Sequence, residues 1–206
     1  MTKVKICGLK TEEHVLTAIN ANADFIGFVF ASSKRQISIE KAKTLAALIP
    51  SSIKKIGVVV NESHERLHQL FAEVGLDYIQ YHGDESPTFI KEVGLPAIKA
   101  FSVTESFDWN QLDHYSVDYY LLDAPGTVHR GGSGKTFSWE LLKNCPIPKE
   151  KIILAGGLNA ENVNKAIEIT LPFAVDVSSG VEKDGIKNNT LIQEFIEATR
   201  GVKQYD

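Results

Sequence analysis

Lys151-Ile152-Ile153-Leu154-Ala155-Gly156-Gly157-Leu158-Asn159 reads as a strand, a turn and the approach to a helix. Its first half is apolar at successive positions, as a strand covered on both faces must be, and such strands belong to parallel sheets. Its second half breaks at two glycines and reaches Asn159, a helix-capping residue ahead of Ala160-Glu161. The run Ile56-Gly57-Val58-Val59-Val60 has the same character nearer the N-terminus. Outward from these two, β-rich runs recur at Val4 to Cys7, Phe25 to Phe30, Lys55 to Val60 and Tyr78 to Tyr81. Others follow at Ala97 to Phe101, Val117 to Leu122, Lys151 to Ala155 and Phe173 to Val177, making eight.

Stretches of helical period lie between them, such as Leu67, Leu70, Phe71 and Val74, or Val163, Ala166, Ile167 and Leu171. Ser86 ahead of Pro87 marks a helix start. A helix is therefore expected after every strand. Eight such units in 206 residues allow about 26 each, the compact end of the α/β (β/α)8 TIM barrel, expected as one domain over residues 1–206. An open doubly wound sheet is the structural alternative, and it usually needs fewer strands.

Hydrophobic residues make up 43% and charged residues 23%, too apolar for a disordered chain. The net charge is only −4, and Lys and Arg are scattered among the acids, so no nucleic-acid partner is expected. Met1-Thr2-Lys3-Val4-Lys5 runs into a strand without the apolar stretch of a signal peptide, and no run approaches membrane-spanning length. Cys7 and Cys145 stand far apart, which makes a disulfide framework unexpected. Together these give a cytoplasmic chain with no membrane partner as the expectation.

In such a barrel the strand C-termini and the following loops form the active-site face. Cys7, Arg35, His82, Asp123, Gly156-Gly157 and Ser178-Ser179-Gly180 fall there, with Asp176 inside the last strand run. Glycine loops after the last two strands suit a phosphate, because the backbone can approach the anion and present N–H groups. As isolated turns, those glycines would need no ligand. Cys7 is by itself compatible with a small buried hydrophobe, Asp123 with a cap for its own loop, and Arg35 with a solvated charge. At a barrel mouth the same residues place a thiol and a carboxyl on either side of one ligand, with a guanidinium suited to a carboxylate. His82 and Asp176 either touch the ligand or organise the loops.

Two further patterns suggest other chemistries. Gly131-Gly132-Ser133-Gly134-Lys135-Thr136 superficially resembles a phosphate-binding loop, but His129 occupies the position where the motif needs its first glycine. A mobile loop covering the substrate is the better expectation there. His64-Glu65-Arg66-Leu67-His68 matches the pattern of zinc peptidases, yet beside the core stripe Leu67, Leu70, Phe71 and Val74 both histidines fall toward solvent.

The segments Lys5-Ile6-Cys7-Gly8-Leu9, Gly27-Phe28-Val29-Phe30 with Ser33-Lys34-Arg35, and Gln80-Tyr81-His82-Gly83-Asp84 narrow the reading. Leu122-Asp123-Ala124, Gly131 to Gly134 with Phe137-Ser138-Trp139, Leu154 to Leu158, and Asp176 to Glu182 continue it. In these blocks and their order the sequence resembles the phosphoribosylanthranilate isomerases of tryptophan biosynthesis, over its full length. Ser138 departs from the aspartate the family often has before Trp139. The resemblance implies an Amadori rearrangement of N-(5-phosphoribosyl)anthranilate to 1-(2-carboxyphenylamino)-1-deoxyribulose 5-phosphate, without cofactor or metal. It implies Asp123 as general acid and Cys7 as general base, with Arg35 on the anthranilate carboxylate. Substrate contacts are expected from His82, Gly156, Gly157, Asp176, Ser178, Ser179 and Gly180. The implied partner is a small phosphorylated molecule, and the implied assembly a monomer or homodimer. The related isomerase of histidine biosynthesis is the nearest enzymatic alternative, but it typically uses two carboxylates where Cys7 presents a thiol. A barrel that only binds a phosphorylated ligand is the non-enzymatic one.

Overall fold

A computed structural model of the chain describes residues 1–123 and 139–201. The barrel strands are β1 (Lys3–Cys7), β2 (Phe25–Val29), β3 (Lys54–Val59), β4 (Tyr78–Tyr81), β5 (Ala97–Ser102), β6 (Tyr119–Asp123), β7 (Ile152–Ala155) and β8 (Ala174–Val177). They close in sequence order into one barrel, and β1 pairs in parallel with both β2 and β8. The α-helices are α1 (Glu12–Asn20), α2 (Ile39–Ala46), α3 (His64–Val74), α4 (Pro87–Val93), α5 (Val163–Thr170) and α6 (Asn189–Arg200). A short antiparallel hairpin, β9 (Glu182–Lys183) with β10 (Ile186–Lys187), precedes α6.

Period-two alternation sorts every strand between two cores. Outward residues such as Ile6, Phe28, Val59, Ile79, Leu122, Leu154 and Val175 pack beneath the helices. Inward residues such as Ile56, Ile98, Leu121, Ile153 and Ala174 fill the barrel. Its N-terminal end is plugged by aromatics: Tyr119 stacks on Phe173 at 4.7 Å, and Phe25 and Tyr78 add edge contacts. With that end filled, the polar inward positions lie at the other end.

The helices begin where short polar side chains can bind free backbone N–H groups. Ser38, Ser63 and Ser86 accept from the third residue onward, and Pro87 follows Ser86 as expected. Gly75 and Gly94 end α3 and α4 at φ 69° and 67°, a left-handed conformation that glycine adopts without strain.

Two expectations are corrected, a helix after every strand and a helix start at Asn159. After β5 the chain forms only a 3-10 turn over Trp109–His114. Thr104, Ser106, Asp108, Asn110 and Asp113 are weak helix formers. The outer face of β5 and β6 is covered instead by an aromatic cluster in which Phe101 contacts Phe107, Tyr115 and Tyr120. After β6 the described chain resumes as a second 3-10 turn, Trp139–Asn144, in which Trp139 and Leu142 bury one edge at a spacing of three before Pro146 and Pro148. The other correction concerns Asn159. Its Oδ1 accepts from the N–H groups of Glu161 and Asn162, which closes a turn, and α5 begins later, at Val163. The glycine cluster 131–136 and Ser138 lie outside the described residues.

Candidate active site

Alternation along the strands also builds the site. Lys5 and Cys7, Gln80 and His82, and Leu121 and Asp123 are pairs two residues apart, so each pair shares its strand's inward face. At the C-terminal mouth Cys7, Gln80, His82 and Asp123 border a cavity of about 420 Å³. Cys7, Arg35, His82, Asp123, Gly156, Gly157, Asp176, Ser178, Ser179 and Gly180 all line it. The structure thus brings these candidate residues to one space.

Cys7 ends β1 and is 7% exposed. Its thiol pKa is raised, because burial pushes it up by more than Lys5 draws it down, and Asp176 adds to the rise. Lys5 itself is fully buried, with Nζ 2.9 Å from Asp176 Oδ1. Burial would discharge it, but Asp176 and Cys7 outweigh burial and hold the ammonium protonated.

Asp123 ends β6. Burial raises its pKa, with His82 pulling the other way and Asp176 reinforcing the rise. That is the direction a carboxylic acid needs if it is to hold a proton near neutrality. His82 is pushed below its ordinary pKa, chiefly by burial, which favours the neutral ring. Its Nδ1 lies 3.0 Å from Gln80 Nε2, which donates to it and leaves the ring proton on Nε2. Gln80 is buried and its Oε1 has no hydrogen-bond partner.

Arg35 reaches the cavity from the loop after β2, but one edge of its fork is already occupied. Nε and Nη2 donate to Glu182 Oε1 and Oε2 at 2.6 and 2.9 Å. Glu182 also accepts from Lys187 Nζ at 2.8 Å and lies 3.3 Å from Lys34. Burial would raise its pKa, but the hydrogen bonds from Arg35 and Lys187 prevail and hold it at about 2. The guanidinium is therefore fixed by an internal carboxylate, which the reading of Arg35 as a free anion clamp did not foresee.

The glycine loops meet across the same cavity. Gly156 and Gly157 take φ of 100° and 60°, which only glycine adopts readily. Gly180 packs so tightly that a Cβ there would lie 1.8 Å from the carbonyl oxygen of Leu158. Asn162 Nδ2 donates to Gly157 O at 3.0 Å and holds the first loop in shape. Lys187 Nζ donates to Ser178 O at 2.8 Å and holds the second.

Sequence reasoning missed Lys5, Gln80, Glu182 and Lys187. For Lys5 and Gln80 the signal was present, since each precedes a candidate by two residues on a strand. His64 packs edge-on against Phe89 at 4.5 Å, His68 is exposed on α3, and no group of three metal-binding side chains exists among the described residues.

A model of the N-(5'-phosphoribosyl)anthranilate isomerase family matches residues 4–198. The N-(5'-phosphoribosyl)anthranilate isomerase of Listeria welshimeri is 47% identical over 200 residues, spanning 97% of this chain and 99% of the relative. A phosphoribosyl anthranilate isomerase solved in complex with reduced 1-(o-carboxyphenylamino)-1-deoxyribulose 5-phosphate superposes with a TM-score of 0.81 at 34% identity. It covers 98% of this chain and all of that one. A structure of monomers generated from the dimeric Thermotoga maritima enzyme gives the same TM-score, identity and coverage.

Proposed function

The chain belongs to the N-(5'-phosphoribosyl)anthranilate isomerase family and is an isomerase of tryptophan biosynthesis, and from that premise we propose that Cys7 and Asp123 carry the rearrangement. Asp123 protonates the furanose ring oxygen, the C1–O bond breaks, and the anilino nitrogen stabilises C1 as an iminium. The thiolate of Cys7 then removes the proton on C2, made acidic by the adjacent iminium. The resulting enolamine tautomerises to the ketone, C1 gaining a proton as the enol hydroxyl loses one.

The observation that carries this reading is the shared cavity, where a thiol from β1 and a carboxyl from β6 face one space of about 420 Å³. Its size suits a small ligand. At the ordinary carboxylate pKa of ~3.9, Asp123 would be protonated about once in a thousand molecules at pH 7, so the rise produced by burial favours its role as acid. Gly156, Gly157, Ser178, Ser179 and Gly180 take the phosphate. Arg35, with its Nε edge on Glu182, offers its outer Nη edge to the anthranilate carboxylate. His82 and Asp176 line the ribose between the two ends. Every group belongs to one chain, so a monomer or a homodimer serves equally.

The test is turnover of freshly generated N-(5-phosphoribosyl)anthranilate, followed by loss of its fluorescence. Cys7→Ala and Asp123→Asn should each lower kcat by at least ~10²-fold, the scale of lost acid-base catalysis. Near-normal turnover in either variant would remove that residue from the mechanism.

A further inference from the structure

Lys5 lies two residues before Cys7 on the inward face of β1 and has no exposure. A lysine buried to that extent needs a partner, and β8 supplies one: Asp176 stands opposite Lys5 in the strand register, with Oδ1 2.9 Å from Nζ. On the other side β2 places Phe25 opposite Lys5 and Gly27 opposite Cys7 in register. A Cβ there would lie 3.0 Å from Cys7 Sγ and 3.3 Å from Lys5 Cε, so both side chains lean over the same bare Cα. The lysine is thus confined between a carboxylate and the thiol.

We propose that Lys5 is a positioning residue of the isomerisation: moored by Asp176, its ammonium lies against Cys7 as the counter-charge for the thiolate that takes the C2 proton. This rests on the reading of Cys7 as base. Four charged groups act on the thiol from the surrounding elements: Lys5 on β1, Asp176 on β8, Lys187 on β10 and Arg35 from the loop after β2. Arg35 and Lys187 are already engaged by Glu182. Lys5 is the largest influence opposing the upward push of burial on the thiol. Asp176 raises the pKa of both Asp123 and Cys7, and Lys5 lowers that of Cys7 by more than Asp176 raises it. One buried ion pair therefore biases acid and base in the opposite directions that the chemistry requires.

The test uses full-length protein carrying Cys145→Ala, so that Cys7 is the only thiol, and reads the pH dependence of its alkylation by iodoacetamide beside the pH profile of kcat. Lys5→Met should move the thiol titration upward by at least ~1 pH unit and lower kcat at pH 7 by ~10-fold or more, because each unit costs a tenfold in thiolate. Part of that activity should return at higher pH, and Lys5→Arg should restore most of it. Because Lys5→Met leaves Asp176 buried and unpaired, Lys5→Met with Asp176→Asn is measured alongside, and the same upward move is expected there. An unmoved alkylation profile in a folded variant overturns the inference. If Cys7→Ala keeps normal turnover, the reading of Cys7 fails instead, so the two failures are distinct.

Discussion

Glu182→Gln isolates the cluster that holds Arg35. The wild-type carboxylate receives Arg35 at 2.6 and 2.9 Å and Lys187 at 2.8 Å, and its side chain is only 5% exposed. Those partners hold its pKa at about 2 against an ordinary 4.5. At ~1.4 kcal/mol per tenfold in proton affinity, that depression corresponds to ~3 kcal/mol of stability. Water at the rim, where Lys34 is 58% exposed and Arg35 24%, screens the cluster and brings the figure to ~1–2 kcal/mol. For a chain of this size that is a fall in Tm of ~2–8 °C. A depressed carboxylate stabilises the fold fully above its unfolded pKa and loses that contribution as pH falls toward its folded value. The gap between wild type and Glu182→Gln, followed by circular dichroism on heating, should therefore be constant from pH 8 to 5 and close between 4.5 and about 2. A gap of equal size at pH 7 and pH 3, or none at pH 7, would refute the assignment of the clamp.

Three other outcomes follow from the same geometry. Asp123→Asn should raise Tm at pH 7 while abolishing turnover, because an acid whose folded pKa is raised destabilises the fold above that pKa; the gain should vanish below the unfolded pKa, and a Tm lower than wild type at pH 7 would contradict it. Arg35→Ala should raise KM by ~10-fold or more with a smaller change in kcat, as expected when binding and orientation are lost, and unchanged constants would remove Arg35 from the site. Gly180→Ala, whose Cβ would meet Leu158 O at 1.8 Å, should cost ~1–3 kcal/mol and weaken inhibition by inorganic phosphate; a variant with normal stability and normal inhibition would show that the two loops do not need their close approach.

The strands were legible because burial on both faces leaves few polar interruptions. Each expected run overlaps an observed strand, and the ends differ by at most two residues. The layer over β5 and β6 was not legible, since an aromatic cluster assembled from Phe101, Phe107, Tyr115 and Tyr120 has no helical period to detect. Candidate site residues were visible as polar side chains at strand ends, where an apolar strand meets a loop. What escaped were partners whose role depends on distant chain segments. Lys5 looks like one polar residue in a strand until β8 places Asp176 beside it. Arg35 looks free until Glu182 arrives from a segment 147 residues away.

The central claim, that a thiol and a carboxylic acid flank a single ribose, is tested most directly by a crystal structure with reduced 1-(o-carboxyphenylamino)-1-deoxyribulose 5-phosphate bound. The account predicts its phosphate between the Gly156–Gly157 and Ser179–Gly180 loops, Cys7 Sγ within ~4 Å of C2, and Asp123 within hydrogen-bond reach of the oxygen that leaves the ring. A ligand seated with C2 beyond reach of Cys7, or with Asp123 turned toward a different part of the molecule, would contradict it.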